Sequence, residues 1–451
     1  MEEHLAGRLD RWRTLPFDAL PDDVVSLARH CALDWIGCTI AGSREPLVGI
    51  LGRELAEEAG GSVGRAGGAT VVGGGRRLPG RSAALLNGTA GHALDFDDTH
   101  QVMSGHPTAP VMPAALATAE ELDLPTERLL TALVAGIELE CRVGALMGGG
   151  PYRAGWHATG TMGTFGAATA AANLLQLDQR QWGHAIGLAG TSAAGLKASF
   201  GTMAKPLHAG KAAADGVLAA RLAGRGFTAN PAVVEARQGL SAASGGRPVE
   251  LDRLTALDDK WLIRETLFKY HAACYLTHAS INAAMALRPE VRPDAVRAVA
   301  VRVAPGSLDV CAIPSPVTGL EGKFSLRATT AMALLGDDTA DLRVYTDERM
   351  AGADLVALRD LIEVVPDDSL TATKSVVEVR LDDGRCLRAH DDTGRPAEDL
   401  ARQRERLTAK FRTLAGAVVG AERAGAIVEA VNRIGTGPSS PSVRELTGLL
   451  R

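Results

Sequence analysis

The chain has 451 residues, enough for two domains or for one large domain with insertions. Its 48 Lys and Arg against 53 Asp and Glu leave a net charge of −5, which excludes a general nucleic-acid-binding surface. Hydrophobic residues at 46% and charged residues at 22% exclude a disordered chain, and 51 glycines beside abundant alanine suggest closely packed helices.

The first 265 residues read as helix after helix. Pro21-Asp22-Asp23 opens a segment with Val24, Leu27, Ala28, Cys31, Trp35 and Cys38 at helical spacing, closed by Gly42. Residues 45–58 repeat that grammar, and 60–77 read as a Gly-rich loop with a short extended piece. Pro79 starts a helix that runs towards acidic residues at 95–98. Helical patterns follow at 111–122, 125–147, 160–176, 178–189 and 209–225. Residues 154–177 carry no formal charge, but His157, four threonines and Asn173 make that stretch a buried helix rather than a membrane span.

Near 290 the period changes. Val299, Val301 and Val303 alternate with Ala300 and Arg302, and Val377, Val379 and Leu381 alternate before an Asp382-Asp383-Gly384 hairpin turn. Helical stretches near 324–335 and 349–360 lie between these strands. The pattern predicts a mostly α protein with an all-helical domain over 1–265 and 395–451, and a smaller α+β domain over 266–394. The six cysteines include no C-x-x-C pair and the N-terminus is too charged for a signal peptide. A cytoplasmic protein that binds no nucleic acid and no membrane is the expectation.

Four stretches could carry chemistry. The first runs from Asn87 to His100 and on to His106-Pro107, with Asp95, Asp97, Asp98 and His92, His100 and His106 close together. It reads as a solvated helix end, as an Mg²⁺ site, or as an acid/base cluster for a small polar substrate. The Mg²⁺ reading wants a third carboxylate at 101, where Gln101 stands. Gly155-Trp156-His157 opens an apolar helix, where a histidine either caps the helix or meets an anion. Lys205 sits in a Gly- and Pro-bounded loop, either as a surface lysine or as an ammonium aimed into a pocket. Lys269 to His278, with Cys274 among them, falls at the domain boundary, where clefts usually lie. No G-x-S-x-G elbow, Walker loop, H-E-x-x-H or clean G-x-G-x-x-G occurs, which leaves hydrolase, nucleotide and nicotinamide chemistry without support.

Together these stretches resemble the MmgE/PrpD family, whose members include 2-methylcitrate dehydratase, cis-aconitate decarboxylase and iminodisuccinate epimerase. The resemblance begins at Leu33-Asp34-Trp35-Ile36-Gly37 and continues through Asn87-Gly88, His106-Pro107, Gly155-Trp156-His157, Lys205 to Thr228, Lys269 to His278, and Lys323-Phe324-Ser325-Leu326. It implies a helical domain completed by the C-terminal tail, a smaller α+β lid, no cofactor, no metal, and a homodimer. It implies catalytic roles for His157, His106, Asp95 and Lys269, with Thr99, Lys205 and Cys274 binding substrate. Cys274 stands where the decarboxylases carry a histidine, Ala328 where many members carry a tyrosine, and one extra residue lies between Thr99 and His106. The implied function is a lyase on a small di- or tricarboxylate, by dehydration or by decarboxylation of a cis-aconitate-like acid. An epimerase acting α to a carboxylate, or a non-catalytic carboxylate-binding relative, is the alternative. His157 is the expected proton-transfer residue and Lys205 the expected carboxylate clamp.

Overall fold

Asp22 and Asp23 place negative charge in the first turn of helix α1 (Asp22–Gly42), complementing the helix dipole. The helix is apolar nearly all round and correspondingly buried from Val24 to Gly42, with few breaks. The computed structural model describes residues 4–60, 68–245 and 249–451. Helix α2 (Pro46–Glu58) follows, then an antiparallel pair, β1 (Ala69–Thr70) and β2 (Arg77–Leu78), which is the extended piece expected in the Gly-rich stretch. Residues 61–67 of that stretch lie outside the described residues.

The longer helices that follow are α3 (Gly80–His92), α4 (Thr108–Glu121), α5 (Thr126–Met147), α6 (Ala158–Leu174), α7 (Gln179–Ser192) and α8 (Ala204–Gly224). All 17 residues of α6 are buried, because it is packed by α4, α5, α7 and α8. That burial accounts for the uncharged stretch, and among the described residues no helix is long and apolar enough to cross a membrane. Helix α8 starts five residues before the pattern suggested. Pro206 falls in its first turn, where the missing N–H has no intrahelical acceptor to lose, so Lys205 is helical rather than in a loop. Strand β3 (Thr99–His100) pairs antiparallel with β4 (Thr266–Leu267).

The chain divides into two units, residues 1–268 with 396–451, and residues 269–395. The pairing of β4 with β3 carries the first unit three residues past the expected boundary at 265. In the second unit a four-stranded sheet has the order β6-β5-β7-β8, formed by β5 (Val296–Val303), β6 (Ile362–Pro366), β7 (Lys374–Leu381) and β8 (Cys386–Asp392). Val299 and Val301 of β5 lie opposite Val379 and Val377 of β7, as the alternation required. Strand β6 was not expected; it is an edge strand, parallel to β5, ending at Pro366. Helices α9 (His278–Leu287), α10 (Leu326–Leu335) and α11 (Ala353–Arg359) belong to this unit, α9 covering β7 and β8. The expected helix over 349–360 is interrupted at Gly352, whose extended backbone caps α11.

The tail returns to the first unit as α12 (Leu400–Val419), α13 (Ala421–Arg433) and α14 (Val443–Leu450). Helix α12 lies along α1, where Lys410 reaches the Asp34 carboxylate at 2.6 Å.

Candidate active site

Helix α3 stops at His92, and the loop that follows turns sharply at Asp95, whose φ of +52° is left-handed. That conformation costs a non-glycine residue of order 1 kcal/mol, so the fold must hold it in place. The anchors are visible. Lys410 donates to the Phe96 carbonyl at 2.6 Å, and Thr108 donates to Asp98 through its hydroxyl (2.5 Å) and its backbone N–H (3.3 Å). Gly105 exchanges backbone hydrogen bonds with His100, closing a short loop over residues 100–105. His106 follows directly, its N–H donating to Thr159 Oγ1 of α6 at 3.1 Å.

This scaffold brings the loop's carboxylates and His106 together with side chains from α3, α6 and α8. His92 Nδ1 lies 3.0 Å from both oxygens of Asp97. His106 Nδ1 lies 2.7 Å from the Asp98 carbonyl, and its Nε2 lies 3.7 Å from Asp95 Oδ1. Lys205, in the first turn of α8, donates to the same Asp95 oxygen at 2.6 Å. His157 is the N-cap residue of α6, stacked on His92 at 5.8 Å between ring centroids, with Phe200 edge-on at 5.0 Å. Its Nδ1 meets His208 Nδ1 at 3.1 Å, one ring donating and the other accepting.

Burial sets the charge states. His157 is held well below the ordinary histidine pKa, first by burial and then by Lys205 and the neighbouring imidazoles, so it is neutral at pH 7. Burial likewise pulls His92 and His208 down; for His92 it outweighs Asp97. Asp98 moves the other way, up to about 8, because burial and the carboxylates of Asp34 and Asp97 outweigh the Thr108 hydrogen bonds. His106 donates through Nδ1 to a carbonyl that only accepts, so its Nε2 is the nitrogen that gains or gives a proton. The side chain of His106 is 13% exposed and that of His92 fully buried. His106 Nε2 therefore lies beside the Asp95–Lys205 ion pair at the accessible edge of the cluster.

The MmgE/PrpD N-terminal domain model matches residues 10–251 and the MmgE/PrpD C-terminal domain model matches residues 271–434. The chain belongs to the MmgE/PrpD family. A cis-aconitate decarboxylase from Aspergillus terreus is 28% identical over 449 residues, covering 91% of this chain and 88% of the relative. The human cis-aconitate decarboxylase is 28% identical over 381 residues, covering 79% and 77%. A cis-aconitate decarboxylase-like protein from Aspergillus oryzae is 31% identical over 299 residues, covering 62% and 61%.

Of the residues expected from MmgE/PrpD resemblance, Asp95, His106, His157 and Lys205 share one cluster in the first unit. Thr99 lies in the adjoining loop, its hydroxyl donating to the Gly105 carbonyl at 3.2 Å. Lys269 and Cys274 belong to the second unit, Lys269 buried and Cys274 half-buried. Two contributors had no role assigned from the sequence. His92 belongs to the acidic, histidine-rich stretch, and a histidine ending a helix five residues before an aspartate marks its pairing with Asp97. His208 was hidden by the late helix start; once α8 begins at Ala204, Lys205 and His208 stand three apart on one face. The four groups His92, Asp95, Asp97 and His106 also have ligand atoms within 4.8 Å of one another, a spacing that admits a metal ion. An ion there would compete with the Lys205 ammonium for Asp95.

Proposed function

We propose that this MmgE/PrpD member is a lyase that acts on a small di- or tricarboxylate, with decarboxylation of a cis-aconitate-like acid as its first candidate reaction. The observation that carries this reading is the Lys205–Asp95–His106 arrangement. An ammonium that can pair with a substrate carboxylate lies beside an imidazole nitrogen fixed in its tautomer by the Asp98 carbonyl. Loss of CO₂ from an unsaturated tricarboxylate leaves electron density on carbon, and that carbon needs a proton as the C–C bond breaks. In this scheme His106 supplies it through Nε2, which lies 3.7 Å from Asp95. Dehydration uses the same nitrogen in the opposite sense, removing a proton α to a carboxylate while hydroxide departs. The similarity to cis-aconitate decarboxylases along most of the chain supports trying that substrate first.

Proton NMR in D₂O with cis-aconitate, citrate-type hydroxy acids and iminodisuccinate tests the proposal. The expected result is a new vinyl signal, with loss of one carboxyl for decarboxylation or loss of hydroxyl for dehydration. Deuteration α to a carboxylate with no new vinyl signal makes the protein an epimerase, and binding without turnover makes it a carboxylate-binding relative.

Lys205 and the histidines supply the positive charge and the proton in this scheme, so no cofactor or metal is required. Activity should survive EDTA; activity abolished by EDTA and restored by Mg²⁺ or Zn²⁺ would place an ion among His92, Asp95, Asp97 and His106. The family resemblance also leads us to propose a homodimer, and light scattering should give about twice the 46.9 kDa chain mass.

A further inference from the structure

A cavity of about 220 Å³ lies in the first unit where α1, α12 and α13 converge, and none of its lining residues belongs to the candidate active site. Ser26, Arg29 and His30 of α1, Leu400, Ala401 and Arg404 of α12, and Asn432 of α13 line it. No carboxylate is among them. Two guanidinium groups therefore face a cavity of this size without a counter-ion in its wall.

The groups around it are prepared to donate. Arg29 spends Nε (2.9 Å) and Nη2 (2.6 Å) on the Ile434 carbonyl at the end of α13, which fixes the plane of the guanidinium and leaves Nη1. Arg404 has neither an ion pair nor a hydrogen bond among the described residues. His30 is 4% exposed, and its Nδ1 receives the Gln403 amide at 3.0 Å, so the ring proton sits on Nε2. Leu400 and Ala401 are the first residues of a 20-residue helix; Asp399 caps the N–H of Arg402, and theirs have no acceptor among the described residues. Asp22 acts on Arg29 and Asp399 caps α12, and neither lines the cavity.

We propose that this cavity binds a small oxyanion, a phosphate group or a carboxylate, between Arg29, Arg404 and the amino end of α12. Arg404 and the Leu400 and Ala401 amides approach the anion from one helix, Arg29 and His30 from the other. Burial, then Arg404 and Arg29, pull His30 down to about 4, and an anion would offset the last two of these. The same two helices carry Lys410 and Asp34, whose ion pair supports the Asp95–Asp98 loop, so an anion bridging them bears on the stability of that scaffold.

Isothermal titration of the full chain with sodium phosphate, and separately with citrate, at ionic strength matched by NaCl, tests the site. Histidine-ring NMR of the same samples follows His30. Saturable binding that moves the His30 signal is expected, and Arg404→Ala should weaken it about tenfold or more, the effect of losing one charge-assisted hydrogen bond. Arg404 is exposed, so its removal leaves the fold intact; Arg29→Lys, which keeps the charge but not the fork, should weaken binding less. Preference for phosphate or for citrate identifies the class of anion. The proposal is overturned by no binding of either anion, by affinity unchanged in Arg404→Ala, or by binding that Lys205→Ala abolishes, which places the anion in the active site.

Discussion

Asp98 offers both carboxylate oxygens to Thr108, yet its burial with Asp34 and Asp97 nearby keeps it protonated up to about pH 8. In the unfolded chain the same group releases its proton near 3.8. Between those values the unfolded state binds fewer protons than the folded one. The associated stability is fully present below the unfolded pKa and is lost as pH rises through the folded pKa. Asp98→Asn removes that titration while keeping a polar group of the same shape. Denaturation of both proteins at pH 5 and pH 8 should show the variant gaining on the parent at the higher pH; parallel behaviour would mean Asp98 is ionised in the fold. The same residue-level logic separates clamp from proton carrier. Lys205→Ala should raise KM about tenfold or more through one lost charge-assisted hydrogen bond, whereas His106→Ala should chiefly lower kcat, by about 10²–10⁴. An unchanged kcat in a folded His106→Ala protein passes the role to His157 or Lys269. The sequence shows which residues can do acid–base work, but not which histidine is reachable. His157 and His106 look alike as letters, and burial alone distinguishes the nearly inaccessible ring from the one at the edge.

Helices were legible where apolar spacing marks them, and strands where valines alternate, because both periods report which face meets the core. Boundaries were lost where local chemistry decides them. A proline at the third position of α8 looked like a barrier and is a permitted first-turn residue, which displaced Lys205 into a supposed loop. What periodicity cannot show is how near two helices come. Helices α3 and α8, which carry His92 and Lys205, meet at Gly88 and Gly210. A Cβ on Gly210 would stand 2.2 Å from both the Leu85 carbonyl oxygen and Thr89 Oγ1, and the clash with the carbonyl is one that rotation of a side chain cannot relieve. Gly210→Ala should therefore cost about 1–3 kcal/mol or more in chemical denaturation and pry apart the helices that set the Lys205–Asp95 contact. A neutral outcome would show that this crossing tolerates separation.

At the scale of the whole molecule, the division into two units follows the switch from helical to alternating pattern, and the tail's helical period hinted at its return. Its partner was not readable, since nothing in the sequence joins position 410 to position 34. The structure supplies the link: Lys410 is held by Asp34 and the Phe96 carbonyl, with its ammonium 4.0 Å above the Phe96 ring. The side chains of Lys410 and Asp34 are only 6% and 1% exposed, so neither charge can be compensated by water if the other is removed. Lys410→Met should cost about 3–5 kcal/mol, the usual result of stranding one partner of a buried pair. It should also lower activity, because the loop carrying Asp95 loses the hydrogen bond to its Phe96 carbonyl. Adding Asp34→Asn to that variant removes the stranded charge and should recover much of the stability, but not the activity, since the Phe96 carbonyl remains unsupported. Urea denaturation and steady-state kinetics on the single and double variants give both readouts. Recovery of stability and activity together would show that the tail acts on the site through charge alone; a single variant as stable as the parent would show that the tail merely lies along α1.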